Sequence, residues 1–171
     1  MIHINVFGTV RGGLARQRTM SGADPVDVRN AVPPGLLRRL AAMLYDGLLL
    51  LALFLVTAAL GVAANRGEAI APDNWLFPLV LGLVWAAFYL WFWTHGGQTL
   101  GMRAWRMRLV TRDGMPVGPG RGLIRLAAAL LSTLPLGLGH LWALVDRDRL
   151  AWHDRLSGTR LVLLEKPRRR A

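Results

Sequence analysis

The chain has no cysteine, a single lysine (Lys166) and only ten acids in 171 residues. Without cysteine there can be no disulfide, thiolate nucleophile or thiolate metal ligand. Its four histidines, His3, His95, His140 and His153, are scattered, and no H-E-x-x-H or similar spacing joins them to acids. No metal site, cofactor or catalytic residue is expected from such a set. No nucleophile–base pair is visible, so the chain does not read as an enzyme. Gly96–Arg103 has glycines but lacks the G-x-x-x-x-G-K-[ST] pattern of a phosphate loop. It reads as a glycine turn leading into an amphipathic surface helix.

What is abundant is apolar and basic. Hydrophobic residues make up 53% of the chain, and the formal net charge is +11. The apolar residues stand in blocks rather than along amphipathic faces, as in an integral membrane protein. In a soluble protein the charge would point to nucleic acid. Here it flanks apolar blocks, where the positive-inside rule and anionic lipid headgroups account for it. No nucleic-acid motif accompanies it, so the expected partner is a bilayer with anionic headgroups.

Residues 40–64 form the first block, and as a helix it is roughly 37 Å long, enough to cross a ~30 Å hydrocarbon core. Asp46 is its only acid. A carboxylate at mid-membrane costs about 2.5–3.5 kcal/mol on insertion scales and usually faces a helix bundle or water. Arg39 stands seven residues earlier, on the same face and roughly 10 Å away along the axis. Leu36, Leu37, Arg38 and Arg39 form an amphipathic entry behind Pro33-Pro34-Gly35. A polar loop at 65–74 carries Arg66, Glu68 and Asp73. The second block covers about 75–93, with Pro78 in its first turn, where a missing N–H costs little. Trp75 marks one interface; Tyr89, Trp91 and Trp93 gather at the other as an aromatic belt.

Residues 94–121 are soluble in character and carry Arg103, Arg106, Arg108, Arg112 and Arg121. Within them 105–111 alternates apolar and basic, the period-2 mark of a strand. Asp113-Gly114 favours a tight turn, and 115–117 reads as a short return strand limited by Pro116. The third apolar block, 123–145, is broken at 135–139 by Pro135, Gly137 and Gly139. Ser132 and Thr133 are expected to bond to their own helix backbone. A charged turn of Asp146, Arg147, Asp148 and Arg149 follows, then a strand at 161–164.

Charge counting sets the topology. The first loop is slightly acidic and the second carries five arginines, which places the N-terminus and 94–121 in the cytoplasm. If block three crosses, the basic C-terminal region lies outside, against the rule. If it folds back at 135–139, that region lies inside, and the 161–164 strand can pair with 105–111. The fold-back is favoured, although backbone at membrane depth must then be buried in protein or wetted. The expected fold class is an all-α integral membrane protein. It has two full transmembrane helices, a Pro/Gly-broken third apolar segment (re-entrant hairpin or third span) and a small cytoplasmic β element. The expected divisions are a disordered tail at 1–32, a membrane domain at 33–165 and a basic tail at 166–171. Ile2, Ile4, Val6 and Phe7 are too short a run for a signal-peptide core, and Met20 is an alternative start.

Arg39, Asp46 and Asp154, the last within His153-Asp154-Arg155-Leu156-Ser157-Gly158-Thr159, together resemble the RDD family of bacterial membrane proteins, named for one arginine and two aspartates. The stretches 38–42 and 97–103 and the Asp113-Gly114 turn match as well. The resemblance covers about 36–164, and Met102 stands where lysine is more usual. It implies an inner-membrane, multi-pass protein of largely unassigned function, with transport suggested.

Two readings of the triad stand open. In one, Asp46 carries an ion or proton, and Arg39 and Asp154 gate the cytoplasmic mouth. One chain offers too few spans to enclose a path, so this reading needs a homo-oligomer or another membrane protein as partner. In the other, the triad is a structural charge clamp in a non-transporting scaffold or accessory protein, with Asp46 paired to Arg39 or another arginine. Asp154 would then cap a turn or bind backbone N–H groups. Secondary candidates are His153, read as an exposed titrating group, its neighbour Arg155, His140 near the chain break, and Arg38.

Overall fold

The computed structural model describes residues 25, 26, 28, 31–133, 139, 142, 145–148 and 150–164. The expected tails at 1–32 and 166–171 lie mostly or wholly outside these. Near the N-terminal boundary the Val26 amide donates to the Gly114 carbonyl (3.0 Å), and the Val32 carbonyl accepts from Leu163 N (3.0 Å).

Helix α1 runs Leu36–Ala64, roughly 43 Å at 1.5 Å per residue. Its buried residues are Arg39, Ala42, Asp46 and Leu50. They recur every three or four positions, so a single stripe faces the rest of the protein. The other faces present leucines and valines outward. In the most apolar window of this helix only 6% of residues are buried, and the same share holds for helix α2, Leu76–Thr94. A core helix of a soluble protein would be mostly covered; these two are long, apolar and bare, as membrane spans are. The loop between them ends on Asn74, whose Oδ1 accepts from the amides of Leu76 and Phe77 and caps α2.

The expected aromatic belt is only partly present. Trp75 and Trp91 are exposed, but Trp93 is buried. Trp93 packs on Tyr89, which meets Trp85 edge-on. The inner face of α2 is therefore an aromatic ladder, and its helical spacing of four explains why.

After α2 the chain turns through Gly96 and Gly97. Gly97 has φ +69°, and a Cβ there would fall 2.5 Å from the Leu109 carbonyl oxygen. Only glycine suits both the conformation and the approach. A short helix α3, Leu100–Ala104, follows. Strand β1, Met107–Thr111, comes next; it starts later than the period-2 pattern because Arg106 turns the chain with φ +53°. Helix α4, Pro119–Thr133, begins on its proline, a favoured first-turn residue. Ser132 Oγ donates to the Ala128 carbonyl as expected (2.7 Å).

Helix α5, Trp152–Ser157, and strand β2, Thr159–Leu163, end the described chain. β1 and β2 pair antiparallel, with Met107 opposite Leu163 and Thr111 opposite Thr159. The expected return strand at 115–117 does not form. Thr111 N reaches Met115 O (2.9 Å), and Gly114 N reaches Thr111 O (3.0 Å), closing a tight turn. The partner edge of β1 is taken by β2, and Pro116 has no N–H to extend a ladder. A small core of Ala42, Trp93, Met102, Met107, Leu109, Val117, Leu126 and Leu161 joins the sheet to the long helices.

Candidate functional site

Two carboxylates organise the junction between the long helices and the sheet. Asp46 does not pair with Arg39. Its Oδ2 accepts from the Thr99 hydroxyl (2.5 Å) and its Oδ1 from the Gly101 amide (2.8 Å). Thr99 is the N-cap of α3, and its Oγ1 also accepts from Met102 N (3.2 Å). The acid of α1 is thus satisfied by the open amide end of another helix and by that helix's cap. Gly101 permits this approach. A Cβ there would sit 2.3 Å from the Ala42 carbonyl oxygen and 3.0 Å from the Asp46 carboxyl.

Arg39 turns instead to Asp154. Arg39 Nη1 lies 3.3 Å from Asp154 Oδ2, and Arg39 Nε donates to the Pro34 carbonyl (3.2 Å). Asp154 sits in the first turn of α5 and also accepts from Ala151 N (3.0 Å). Asp154 thus meets both Arg39, the contact expected of it as a gate, and a nearby backbone amide, the contact expected of it as a structural group. The reading of His153 as an exposed titrating group does not hold. His153 is buried, 7% exposed, with Nε2 3.7 Å from Asp154 Oδ1.

The residue that sequence reasoning missed is Arg125. It is 3% exposed, and its Nη1 donates to Asp154 Oδ1 (2.6 Å) and to Thr159 Oγ1 (2.5 Å). Thr159 Oγ1 lies 2.7 Å from Ser157 Oγ, which in turn donates to the His153 carbonyl. Since the Ser157 hydroxyl is spent on that carbonyl, Thr159 donates to Ser157 and accepts from Arg125. The guanidinium of Arg125 stands over the Trp93 ring, 5.3 Å from its centroid, a cation–π contact. The signal was present in the sequence, because Arg125 is a cation inside the third apolar block, as Asp46 is an acid inside the first.

Asp154 is fully buried. Burial pushes its carboxyl up, but Arg125, His153, Arg39 and the Ala151 amide together outweigh that and hold it below the usual carboxylate range. It is an anion between two guanidiniums.

Of the secondary candidates, Arg155 is exposed and pairs with Asp146 (2.5 Å) and Asp148 (3.4 Å) in the charged turn, away from Asp154. Asp146 also accepts from the Leu150 amide, which with Arg155 holds its carboxyl below the usual range. Arg38 is half-buried and outside the Asp154 cluster. His140 lies outside the described residues. Among the described residues no three His, Asp or Glu side chains converge as a metal would require.

Beside the two carboxylates lies a cavity of about 470 Å³, between α1, α2 and α4. Arg39, Asp46 and Arg125 all reach its wall, with Tyr89 and Thr99. Most of the remaining wall is apolar.

The chain matches no curated protein and no solved structure. The model of the RDD family matches residues 33–158, which contain Arg39, Asp46 and Asp154 and the helices α1 to α5. With the greater part of its length matched, its two bare apolar helices and its arginine and two aspartates in place, the chain belongs to the RDD family of membrane proteins.

Proposed function

We propose that this chain is a multi-pass inner-membrane protein in which Arg39, Asp46 and Asp154 form a charge clamp rather than an ion path. The N-terminus, the 94–121 segment and the C-terminus face the cytoplasm, and the third apolar segment folds back. The observation that carries this reading is the engagement of both acids. Asp154 ties α1 and α4 to α5 through Arg39 and Arg125, and Asp46 ties α1 to α3 through Thr99 and Gly101. A carboxylate that loads and releases a cation needs free lone pairs and access. These two are 3% and 0% exposed and already bonded. The chain acts, on this reading, as a membrane scaffold or accessory protein, assembled with copies of itself or another membrane protein.

The fold-back is supported by two features. Gly139 lies against Ser132, where a Cβ would come 2.7 Å from the Ser132 Cα. The pairing of β2 with β1 also returns the chain to the end of α2 from which β1 departs.

A second reading, cation- or proton-coupled movement of an ion or small solute by an oligomer, is favoured by one observation: Asp46 lines the cavity. Asp46→Asn separates the two, since it keeps shape but places an amide against the Thr99 hydroxyl and Gly101 N–H. Collapse of protein abundance in the membrane supports the clamp. Normal abundance with loss of ion-driven proton flux in inside-out vesicles supports transport and overturns the clamp.

A further inference from the structure

A clamp makes no use of the cavity between α1, α2 and α4. At about 470 Å³ it falls within the roughly 300–1,000 Å³ range of small-ligand sites. Its wall is largely apolar, with Leu40 and Met43 from α1 and Leu126 and Leu130 from α4. Leu40, Met43 and Leu130 are each about half exposed, so the cavity is not closed off. On the membrane placement proposed above, it opens between α1 and α4 onto acyl chains rather than water. The charged groups on its wall are already engaged. Asp46 is bonded to Thr99 and Gly101, and Arg39 and Arg125 are bonded to Asp154. A charged ligand would shed its hydration there and meet groups that already have partners.

Tyr89 is the polar wall residue that is left open. Its ring is held edge-on against Trp85 and Phe88 and tilted on Trp93. No hydrogen bond among the described residues involves its hydroxyl. Unlike the enclosed N–H groups of Trp93 and Arg125, that hydroxyl is open to whatever fills the space beside it. A tyrosine hydroxyl away from water normally finds an acceptor. Tyr89 stands five residues before the end of α2, roughly 8 Å inside the helix end, where hydrocarbon offers none.

We propose that the cavity binds an uncharged lipid with one apolar chain and a carbonyl oxygen, the chain along α1 and α4 and the oxygen accepting from the Tyr89 hydroxyl. A monoacylglycerol and a chain-bearing quinone share this chemistry: a tail that suits an apolar wall and a neutral acceptor for one fixed donor. The inference rests on the membrane placement proposed above, since the ligand enters from the hydrocarbon layer.

The test uses the full chain purified in a neutral detergent. Mono-oleoylglycerol, a decyl-substituted benzoquinone and ionised oleate are titrated separately, and bound ligand is counted by native mass spectrometry. One glyceride or quinone per chain is expected, and the tighter of the two identifies the source of the carbonyl. Oleate is expected to bind about tenfold more weakly than that lipid, since its charge gains no free partner. Tyr89→Phe removes the hydroxyl and no protein contact. It is expected to weaken the preferred lipid about tenfold while the ligand-free melting temperature stays within a few degrees. Ala129→Trp and Met43→Trp narrow the cavity from α4 and α1, and each is expected to weaken binding at least as much. Should one of the three fail to fold, the others still decide. Undiminished binding in a folded variant, or oleate binding as tightly as the uncharged lipids, overturns the proposal. A chain that stays soluble without detergent overturns the membrane placement itself, a different result from a detergent-held chain that takes up neither uncharged lipid.

Discussion

Arg125 and Asp154 meet at 2.6 Å although 29 positions separate them. One sits in an apolar helix and the other at the start of a short polar one. Their contact makes α4 and α5 a unit and draws α1 in through Arg39. Removing one member of a buried pair leaves the other uncompensated, at a cost of about 3–5 kcal/mol. Arg125→Gln and Asp154→Asn should each lower the melting temperature in detergent sharply and reduce membrane abundance. Arg155→Gln, which breaks only exposed contacts, should do neither, because surface pairs contribute little.

Acid should weaken the fold through Asp154. Its carboxyl is held below the usual range in the folded chain, so the folded state binds its proton less readily than the unfolded one. The stabilisation is then complete above the unfolded value, about 3.9, and is lost as pH falls through the lower folded value. Melting temperature measured from pH 7 downward should hold until about pH 4 and fall below it. The Asp154→Asn protein should start lower and lack that component of the fall.

How much of this was legible in the sequence varies with the cause. The long apolar helices, Asp46, the Asp113-Gly114 turn and the pairing of the two short strands follow from period, length and turn chemistry. Arg39 facing Asp154 is one of two readings that the sequence leaves open, and burial of both charges is what makes them meet. The partner of Asp46 was not legible as such. Satisfying a carboxylate with a helix's amide end requires knowing that 99–101 returns to α1, and only tertiary packing decides that. Trp93 reads as an interface residue by composition. It is instead buried under Arg125, because both lie on inward faces of their helices. Arg125 is the one avoidable miss, since a charge inside an apolar block carries the same argument whatever its sign.

Gly101 should be nearly irreplaceable. A methyl there meets the Ala42 carbonyl at 2.3 Å, backbone that cannot swing aside. Forcing α3 away from α1 would also stretch both bonds to Asp46. Gly101→Ala should destabilise by about 1–3 kcal/mol, the usual range for overpacking. Gly47→Ala is the control. It sits next to Asp46 in the same helix, yet its Cβ would meet nothing within 4 Å. There the higher helix propensity of alanine should leave stability unchanged or raise it by up to about 1 kcal/mol. Thermal unfolding of the two variants in detergent, side by side, checks both.

Thr99 offers a finer probe of the Asp46 contact. Thr99→Val keeps the shape but removes the hydroxyl that donates to Asp46 and accepts from Met102 N. It leaves a carboxylate oxygen and an amide short of a partner, for a loss of about 1–3 kcal/mol. Thr99→Ser, which keeps the hydroxyl, should recover most of it; a loss in Thr99→Ser as large as in Thr99→Val would mean that the hydroxyl is not what carries the contact.

The topology can be read from the C-terminus. β1 and β2 share a ladder from Met107–Leu163 to Thr111–Thr159, and two strands cannot pair across a hydrocarbon layer, because an open sheet edge in lipid leaves backbone groups unsatisfied. Whichever side holds Arg103, Arg106, Arg108 and Arg112 must then hold residue 163 as well, and arginine-rich loops stay cytoplasmic. A fluorescent protein fused after Ala171 should therefore be bright and alkaline phosphatase at the same point inactive. A phosphatase fusion that is active would invert the proposed orientation if a second fusion in the 94–121 segment is active too; if that second fusion is inactive, the two strands lie on opposite faces, which rules out both the fold-back and the meeting of Asp154 with Arg39.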